Sequence, residues 1–329
     1  MKTTFATLAL AATLTLGAAH AADPSGKLVV YTSQLPEVAQ QTVDAFKAEH
    51  PAIEVEWVRN GTGQLMNILQ AEIAAGQIKP DVLLVADDIN LGRLKRDGRL
   101  QAYEAAPVAG LDAEFYDKAK MFFGTKIIAT GIAWNTLGAK KPTGWADLVA
   151  PEAKGKIAMP SALYSGAALV HLHTLVAAPG LGWDFFKGLA ANAIVPEGGN
   201  GPALKAVAGG QKLYGIITDG DVIRAKAAGS PVDFVYPAEG ATFITEPVAI
   251  LATAKNVPAA RAFVDFVLSK KGQELVARQG NLPISKDVAP PTGFPRLDTI
   301  RLIGLDADRA VATDAEVKKT FAATFGIAD

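Results

Sequence analysis

The sequence contains no cysteine, and it lacks an excess of charge of either sign. Without cysteine there are no disulfides and no thiolate chemistry, so packing alone must stabilise the fold. The 32 Lys and Arg residues are balanced by 33 Asp and Glu residues. No basic stripe stands out along the chain, so we do not expect nucleic acid as a partner.

Long hydrophobic runs are also scarce, and the most prominent one lies at the start of the chain. Residues 5–16 are apolar or threonine, follow the charge of Lys2, and precede Ala19-His20-Ala21. The run is shorter than the roughly 20 residues that span a bilayer. This order is typical of a secretory signal peptide. We predict that residues 1–21 are removed after Ala21 and that the mature protein is periplasmic.

The remaining chain is rich enough in apolar residues to build packed cores. Hydrophobic residues make up 50% of the sequence and charged residues 20%. A mature chain of about 300 residues favours two domains. Predicted strands at 27–33, which is β-rich, at 53–58, which alternates strictly, and at 81–86, which is apolar, are separated by amphipathic helical patterns, and the same order of elements continues beyond residue 126. This alternation predicts an α/β fold with mostly parallel sheets.

We predict two lobes that are not divided by a simple linker. Lobe 1 would comprise residues 22–130 and 249–329, and lobe 2 residues 131–248. No low-complexity segment separates them, so the chain is expected to cross between lobes more than once. The extended runs at 127–134 and 243–251 are the candidate crossings and would form the hinge.

The order of several short motifs resembles that of the periplasmic ferric-ion-binding proteins and their wider relatives. The motifs are Val29-Val30-Tyr31-Thr32-Ser33, Gly63-Gln64-Leu65, Pro80-Asp81-Val82, Gly144-Trp145-Ala146-Asp147-Leu148 and Ala203-Leu204-Lys205-Ala206-Val207. The resemblance implies a two-lobed type II binding protein, without enzymatic activity, that delivers a solute to an ABC permease in the inner membrane. Members of this wider family bind ferric ion, polyamines, thiamine, sugar phosphates or 2-aminoethylphosphonate.

The residues that hold iron in ferric relatives are largely missing here. Gly220 and Asp221 stand where the resemblance implies two adjacent tyrosines, whose phenolates suit hard Fe³⁺. Leu35 stands near the position of the family histidine. We therefore predict no metal ligands and no cofactor.

The part that holds an anion in those relatives matches better. Ser165-Gly166-Ala167 and Asn200 stand at the corresponding positions. Independently of the family, a helix start offers unpaired N–H groups and a partial positive charge to an anion. The alternative is that Ser165 is only an N-cap.

Two further groups of residues complete the predicted site. Thr62-Gly63 precedes a helix and Ser33 ends a strand, where ligand crevices open in parallel sheets, although both are also ordinary strand-to-helix turns. Asp219, Asp221 and Glu246 would bind an amine. The alternative is that the two aspartates serve a turn and an N-cap, and that Glu246 is a solvated hinge charge.

Together these residues predict a monomeric protein that captures a small anion with a phosphorylated or phosphonate head, including zwitterions such as 2-aminoethylphosphonate. One alternative is ferric ion bound with a synergistic anion. Another is a polyamine or thiamine-like cation held by the carboxylates. An enzyme that uses Asp219 and Asp221 as acid and base would require two carboxylates with separated pKa values beside a substrate, and nothing else in the sequence favours it.

Overall fold

The computed structural model describes residues 23–296 and 299–327, so the predicted signal peptide lies outside the described residues. The strands are β1 (Gly26–Thr32), β2 (Ile53–Arg59), β3 (Val82–Leu84), β4 (Leu100–Gln101), β5 (Phe122–Phe123), β6 (Lys126–Asn135), β7 (Ile157–Ala158), β8 (Tyr214–Thr218), β9 (Val232–Val235), β10 (Ala241–Ile244), β11 (Val248–Leu251), β12 (Leu282–Pro283) and β13 (Leu302–Ile303). The α-helices are α1 (Pro36–Glu49), α2 (Thr62–Ala74), α3 (Asp88–Arg96), α4 (Ala146–Val149), α5 (Gly166–Ala177), α6 (Gly182–Ala191), α7 (Asn200–Ala208), α8 (Asp219–Ala227), α9 (Val257–Leu268), α10 (Lys270–Arg278) and α11 (Ala307–Phe325). None of these described helices is both long and apolar enough to cross a membrane.

The first lobe is built on a sheet in the order β2-β1-β3-β11-β4, with β5 also paired to β11. Its central strand β3 is fully buried. Side chains alternate between the two faces of a strand, so Val82 and Leu84 enter one core with Phe46 and Phe263, while Leu83 enters another with Leu69. Helices cover both faces of this sheet, which explains why β3 is an apolar run without alternation.

The second lobe contains the sheet β13-β10-β6-β8-β7, with β9 and β12 also paired to β6. Trp145 and Phe186 are buried in its core together with Ile132 of β6. The Trp145 indole nitrogen donates to the carbonyl of Gly240 at 2.9 Å, so this large side chain is buried without losing a hydrogen bond.

The predicted two-lobed α/β fold is confirmed, but both sheets are mixed. β1 pairs in parallel with β2 and β3, β7 with β8, and β10 with β13. The pairings made by β11 in the first sheet and those of β6 with its neighbours in the second are antiparallel. The reason is that these two strands follow the crossings between lobes and enter each sheet from the hinge side.

The hinge consists of two crossing segments that are hydrogen-bonded to each other. One connects β5 to β6 and the other connects β10 to β11. The amides of Thr125 and Lys126 both donate to the Thr245 carbonyl, at 2.9 and 3.2 Å. The Thr125 hydroxyl donates to the Glu246 carbonyl at 2.8 Å, and Glu246 adopts a positive φ of 42°. The crossings therefore form one backbone unit at the base of the cleft.

The end of the chain packs differently from the predicted lobe boundary, which assigned 249–329 to lobe 1. β13 pairs with β10 of the second sheet, and Val317 and Phe321 of α11 are part of the second lobe's core. α11 also packs against α3 of the first lobe. The amphipathic pattern of this helix does not reveal which lobe receives its apolar face, and the structure places it across both.

Candidate functional site

A cleft of about 500 Å³ lies between the two lobes above the hinge. Five helices begin at it: α1 and α2 from the first lobe, and α5, α7 and α8 from the second. In α1, α2, α7 and α8 the side chain of the N-cap residue makes no capping hydrogen bond. Each helix start carries a partial positive charge, although Gly63 of α2, Ala168 of α5 and Gly220 of α8 already donate their amides to protein oxygens. The cleft is therefore surrounded by hydrogen-bond donors from both lobes.

The structure brings most of the predicted site residues to this cleft. Those that line it are Ser33, Thr62, Ser165, Gly166, Ala167, Asn200, Asp221 and Glu246. Gly63 and Asp219 are not among the described residues that line it. The two glycines and the three carboxylates have roles in the structure that the sequence did not indicate.

The residues predicted to hold an anion lie at helix starts in the structure. The Ser165 hydroxyl caps α5 by accepting from the Ala168 amide at 3.4 Å, so the alternative N-cap role is also present. Asn200 is the first residue of α7, next to a glycine N-cap. Thr62 begins α2 and is only 1% exposed, yet its hydroxyl has no hydrogen-bond partner among the described residues. An unpaired buried hydroxyl is costly and suits a polar ligand atom.

Gly63 and Gly166 lie at a close contact between the two lobes. The Gly63 amide donates to the Tyr164 carbonyl of the other lobe at 3.3 Å. A Cβ atom at Gly63 would lie 2.4 Å from the Leu163 carbonyl oxygen, and one at Gly166 would lie 2.7 Å from the Asp87 carboxylate. Only glycine lets the two lobes come this close at these positions, so the structure shows the lobes in a closed arrangement.

Asp219 is turned into the protein rather than toward a ligand. Its carboxylate accepts from the amides of Ala129 and Gly220 at 3.2 and 2.7 Å and from the Tyr236 hydroxyl at 3.0 Å. Burial raises its pKa to about 7, although these hydrogen bonds oppose the rise. The carboxylate joins the start of α8 to the neighbouring strands.

The other two predicted carboxylates reach the cleft but already have cationic partners. Glu246 is buried and pairs with the Lys126 ammonium at 2.5 Å, and it also accepts from the Gln34 side-chain amide at 3.0 Å. Asp221 pairs with Arg224 and accepts from the Thr218 hydroxyl at 2.7 Å. Glu246 is thus not a solvated hinge charge, and the charge of each carboxylate is already balanced by a cation.

Sequence reasoning missed the cations of the cleft. Arg59, Lys126 and Arg224 line it, as do Gln34 and Tyr164. Arg59 had a usable signal, because it ends β2 next to the end of β1, where Ser33 was found. Lys126 and Arg224 had none, because their roles depend on partners far away in the sequence.

The described residues offer little to a metal ion. Within 23–296 and 299–327 no group of three or more His, Asp or Glu side chains is arranged to hold one. Tyr164 is the one tyrosine among the described residues lining the cleft. Hard Fe³⁺ prefers several phenolate and carboxylate oxygens, and here the carboxylates are ion-paired.

Two α/β lobes joined by a hydrogen-bonded hinge, with a cleft lined by helix starts, define a protein that closes on a small solute. The model of the bacterial extracellular solute-binding protein family matches residues 28–281, and the chain belongs to this family. It is a family of transport proteins and not an enzyme class.

Relatives and solved structures of several ligand types are similar to the chain. A Haemophilus influenzae protein described as uncharacterized is 28% identical over 320 residues, which is 91% of this chain and 90% of that protein. The spermidine/putrescine-binding periplasmic protein of Escherichia coli is 29% identical over 207 residues, but this alignment covers only 58% of this chain and 54% of the relative.

Among solved structures, the periplasmic binding protein AfuA of Actinobacillus pleuropneumoniae, with fructose-6-phosphate bound, superposes with a TM-score of 0.84 at 25% identity. This match covers 92% of this chain and 99% of AfuA. Iron-bound HitA of Pseudomonas aeruginosa superposes with a TM-score of 0.76 at 23% identity, over 90% of this chain and 99% of HitA. The second match concerns the fold alone.

Proposed function

We propose that the cleft captures a small organic anion with a phosphoryl or phosphonate head and that the protein delivers it to an ABC permease. The observation that carries this proposal is the convergence of five helix starts from both lobes on one cleft. Helix N-termini are well suited to phosphate groups, since their N–H groups and dipoles both favour an anion. An anion that accepts hydrogen bonds from both lobes would stabilise the closed arrangement.

The charges of the cleft support the same ligand class. Three cationic side chains and two carboxylates line it, which leaves a net positive charge. Ser165 and Asn200 at the starts of α5 and α7, and the unpaired hydroxyl of Thr62 on α2, are proposed to contact the head. AfuA, whose structure holds a sugar phosphate, adds support by its similarity.

The proposed setting is that of an exported carrier. The protein acts in the periplasm as a monomer once residues 1–21 are removed, and it performs no chemistry on its solute. Closure of the lobes would create the surface that the permease recognises. The family match and the apolar run of residues 5–16 before Ala19-His20-Ala21 both support a location in the periplasm.

The polyamine and iron alternatives find less support in the cleft. A polyamine requires carboxylates, and those of Asp221 and Glu246 are already paired with Arg224 and Lys126. Fe³⁺ requires several anionic oxygens, and Tyr164 alone supplies a phenol. Iron-bound HitA resembles this chain in fold.

The experiment is a thermal-shift screen followed by calorimetry on the mature protein. A ligand at 100 times its Kd should stabilise the protein by about 2.7 kcal/mol. We expect glycerol 3-phosphate and other phosphate monoesters to raise the melting temperature, and spermidine and ferric citrate to leave it unchanged.

Substitution of the helix-start residues tests the site. Ser165→Ala and Asn200→Ala should each weaken binding of glycerol 3-phosphate about tenfold, since each removes a hydrogen bond to a charged group. Ser269→Ala is the matched control, because Ser269 caps α10 through the Gly272 amide at 3.1 Å and does not line the cleft. Unchanged affinity in both cleft variants, or a silent screen for every phosphorylated compound, would refute the proposal.

A further inference from the structure

Among the described residues, three cationic side chains and two carboxylates line the cleft, so one cation has no carboxylate partner there. The Lys126 ammonium pairs with Glu246, and Arg224 pairs with Asp221. Arg59 forms no ion pair with a carboxylate in the described part of the chain. Its Nε donates to the Gln34 carbonyl at 2.9 Å, which leaves the other N–H groups of a five-donor guanidinium for a ligand.

Arg59 is connected through Gln34 to the ion pair of Glu246 and Lys126 at the hinge. We call these four residues the hinge group. Gln34 connects its members, because its carbonyl accepts from Arg59 while its side-chain amide donates to Glu246 at 3.0 Å. Glu246 and Lys126 are 5% and 2% exposed. The arginine therefore lies next to a buried, already neutralised pair, and its own charge is the surplus charge of the cleft.

This arrangement has a consequence for the part of the ligand beyond its head. An ammonium group would meet no unpaired carboxylate and would be repelled by Arg59. Oxygen acceptors, whether hydroxyl or carboxylate, would receive charge-assisted hydrogen bonds from the guanidinium fork.

We propose that the cleft selects a phosphorylated ligand whose tail carries oxygen acceptors and rejects one whose tail carries an ammonium, and that Arg59 reads this tail. The inference rests on the proposed function, since it presumes a phosphoryl head at the helix starts. It excludes the zwitterionic members of the proposed ligand class, which the predicted amine-binding role of Asp219, Asp221 and Glu246 had included.

The test compares probes that share a phosphoryl head and differ in the tail. Isothermal calorimetry on the mature wild-type protein would measure Kd for glycerol 3-phosphate, 2-phosphoglycolate and phosphoethanolamine, with methyl phosphate as the probe without a tail. We expect phosphoethanolamine to bind at least about tenfold more weakly than the tighter of the two oxygen-tailed probes, as a lost hydrogen bond to a charged group implies.

Two substitutions assign the selectivity to Arg59. Arg59→Met should weaken the better oxygen-tailed probe about 10- to 100-fold while changing methyl phosphate much less, so that the preference over phosphoethanolamine collapses. Arg96→Met is the matched control, since Arg96 is exposed on α3, pairs with Asp97 and lies outside the cleft. It should preserve the wild-type ranking.

The outcomes separate this inference from the proposed function. Equal or tighter binding of phosphoethanolamine by the wild-type protein would overturn the inference and leave the proposed function standing. An unchanged ranking in Arg59→Met would overturn the role of Arg59. Failure of all four probes to bind would overturn both proposals. The wild-type ranking decides the selectivity even if Arg59→Met does not fold.

Discussion

The Asp219 carboxylate is a buried acid that holds three elements together instead of meeting a ligand. It is 1% exposed and accepts hydrogen bonds from β6, from the start of α8 and from Tyr236. Burial raises its pKa to about 7. Burial likewise raises the pKa of Asp88 to about 7, with the neighbouring Asp87 adding to the rise. Both acids therefore bind a proton more tightly in the folded protein than in the unfolded chain.

These acids give the stability of the protein a pH dependence. Since the folded pKa of Asp219 exceeds its unfolded value of about 3.9, its contribution is fully present below pH 4 and is lost as pH rises through 7. We expect Asp219→Asn to reduce the fall of the unfolding free energy between pH 4 and pH 7. Urea denaturation at several pH values measures it. Asp184→Asn, whose side chain is 92% exposed, should keep the wild-type slope, and an unchanged slope in Asp219→Asn would contradict the assignment.

Individual site residues could be predicted from the sequence where the pattern that marks them lies in neighbouring residues. The resemblance to the ferric-ion-binding proteins pointed to Ser165 and Asn200, and for Ser165 a small polar residue before an apolar helical pattern also marks a helix start, which attracts anions. The pairing of Glu246 with Lys126 could not be placed, because it joins two crossings that only the fold brings together. The same holds for the inward orientation of Asp219, which depends on Tyr236 and Ala129.

Among the elements, helix α11 links the two lobes, because it packs against α3 of the first lobe and against the core of the second. Asp314 on α11 is 1% exposed and accepts from Arg93 of α3, from the imidazole of His173 of α5 at 3.2 Å and from Lys318 at 2.9 Å. Burial tends to raise its pKa, but His173, Lys318 and Arg93 outweigh burial and bring the pKa to about 2. The helix is thereby fixed to both lobes through one ionised group.

Removal of that group should be costly. Asp314→Ala would leave Arg93, His173 and Lys318 without their shared acceptor, and we expect a loss of about 3 kcal/mol of unfolding free energy, typical of a broken buried ion pair. Chemical denaturation checks it. Asp112→Ala, which breaks an exposed pair with Lys286, is the control and should have little effect. Equal stability of the two variants would show that the cluster adds nothing.

The helices and strands themselves were largely predictable, since their hydrophobic periods are strong. The apolar run at β3 and the extended runs at β6 and β10–β11 were predicted from composition and pattern, but the first crossing lies before 127–134, between β5 and β6. Hydrophobic periodicity shows which face of a helix is apolar, but it does not show which core that face packs against. Val317 and Phe321 mark a buried side of α11, but only the fold shows that this side enters the second lobe's core.

In the whole molecule, closure depends on contacts that leave no room for a side chain. A Cβ atom at Gly166 would lie 2.7 Å from the Asp87 carboxylate, 2.9 Å from the Thr62 hydroxyl and 3.0 Å from the Ala86 carbonyl. The first lobe contributes all three obstacles. Even one added methyl group therefore acts on the relation between the lobes and not on either lobe alone.

Gly166→Ala should shift the protein toward an open arrangement. We expect a larger radius of gyration than wild type by small-angle scattering in the presence of glycerol 3-phosphate, and at least about tenfold weaker binding, because backbone atoms would have to move apart. Gly201→Ala is matched in position, at another helix start in the cleft, but its Cβ would meet no atom within 4 Å. Equal compaction of both variants would argue against this account of closure.

The position of the last strands and helix also bears on when the protein can fold. The first sheet needs β11, at residues 248–251, to join β3 to β4. The second lobe needs β13 and α11, so its core is complete only when Phe321 is present. Neither lobe can therefore complete its core from the N-terminal half of the chain alone. Both lobes thereby depend for their completion on elements from the second half of the chain, so the molecule folds as one coupled unit.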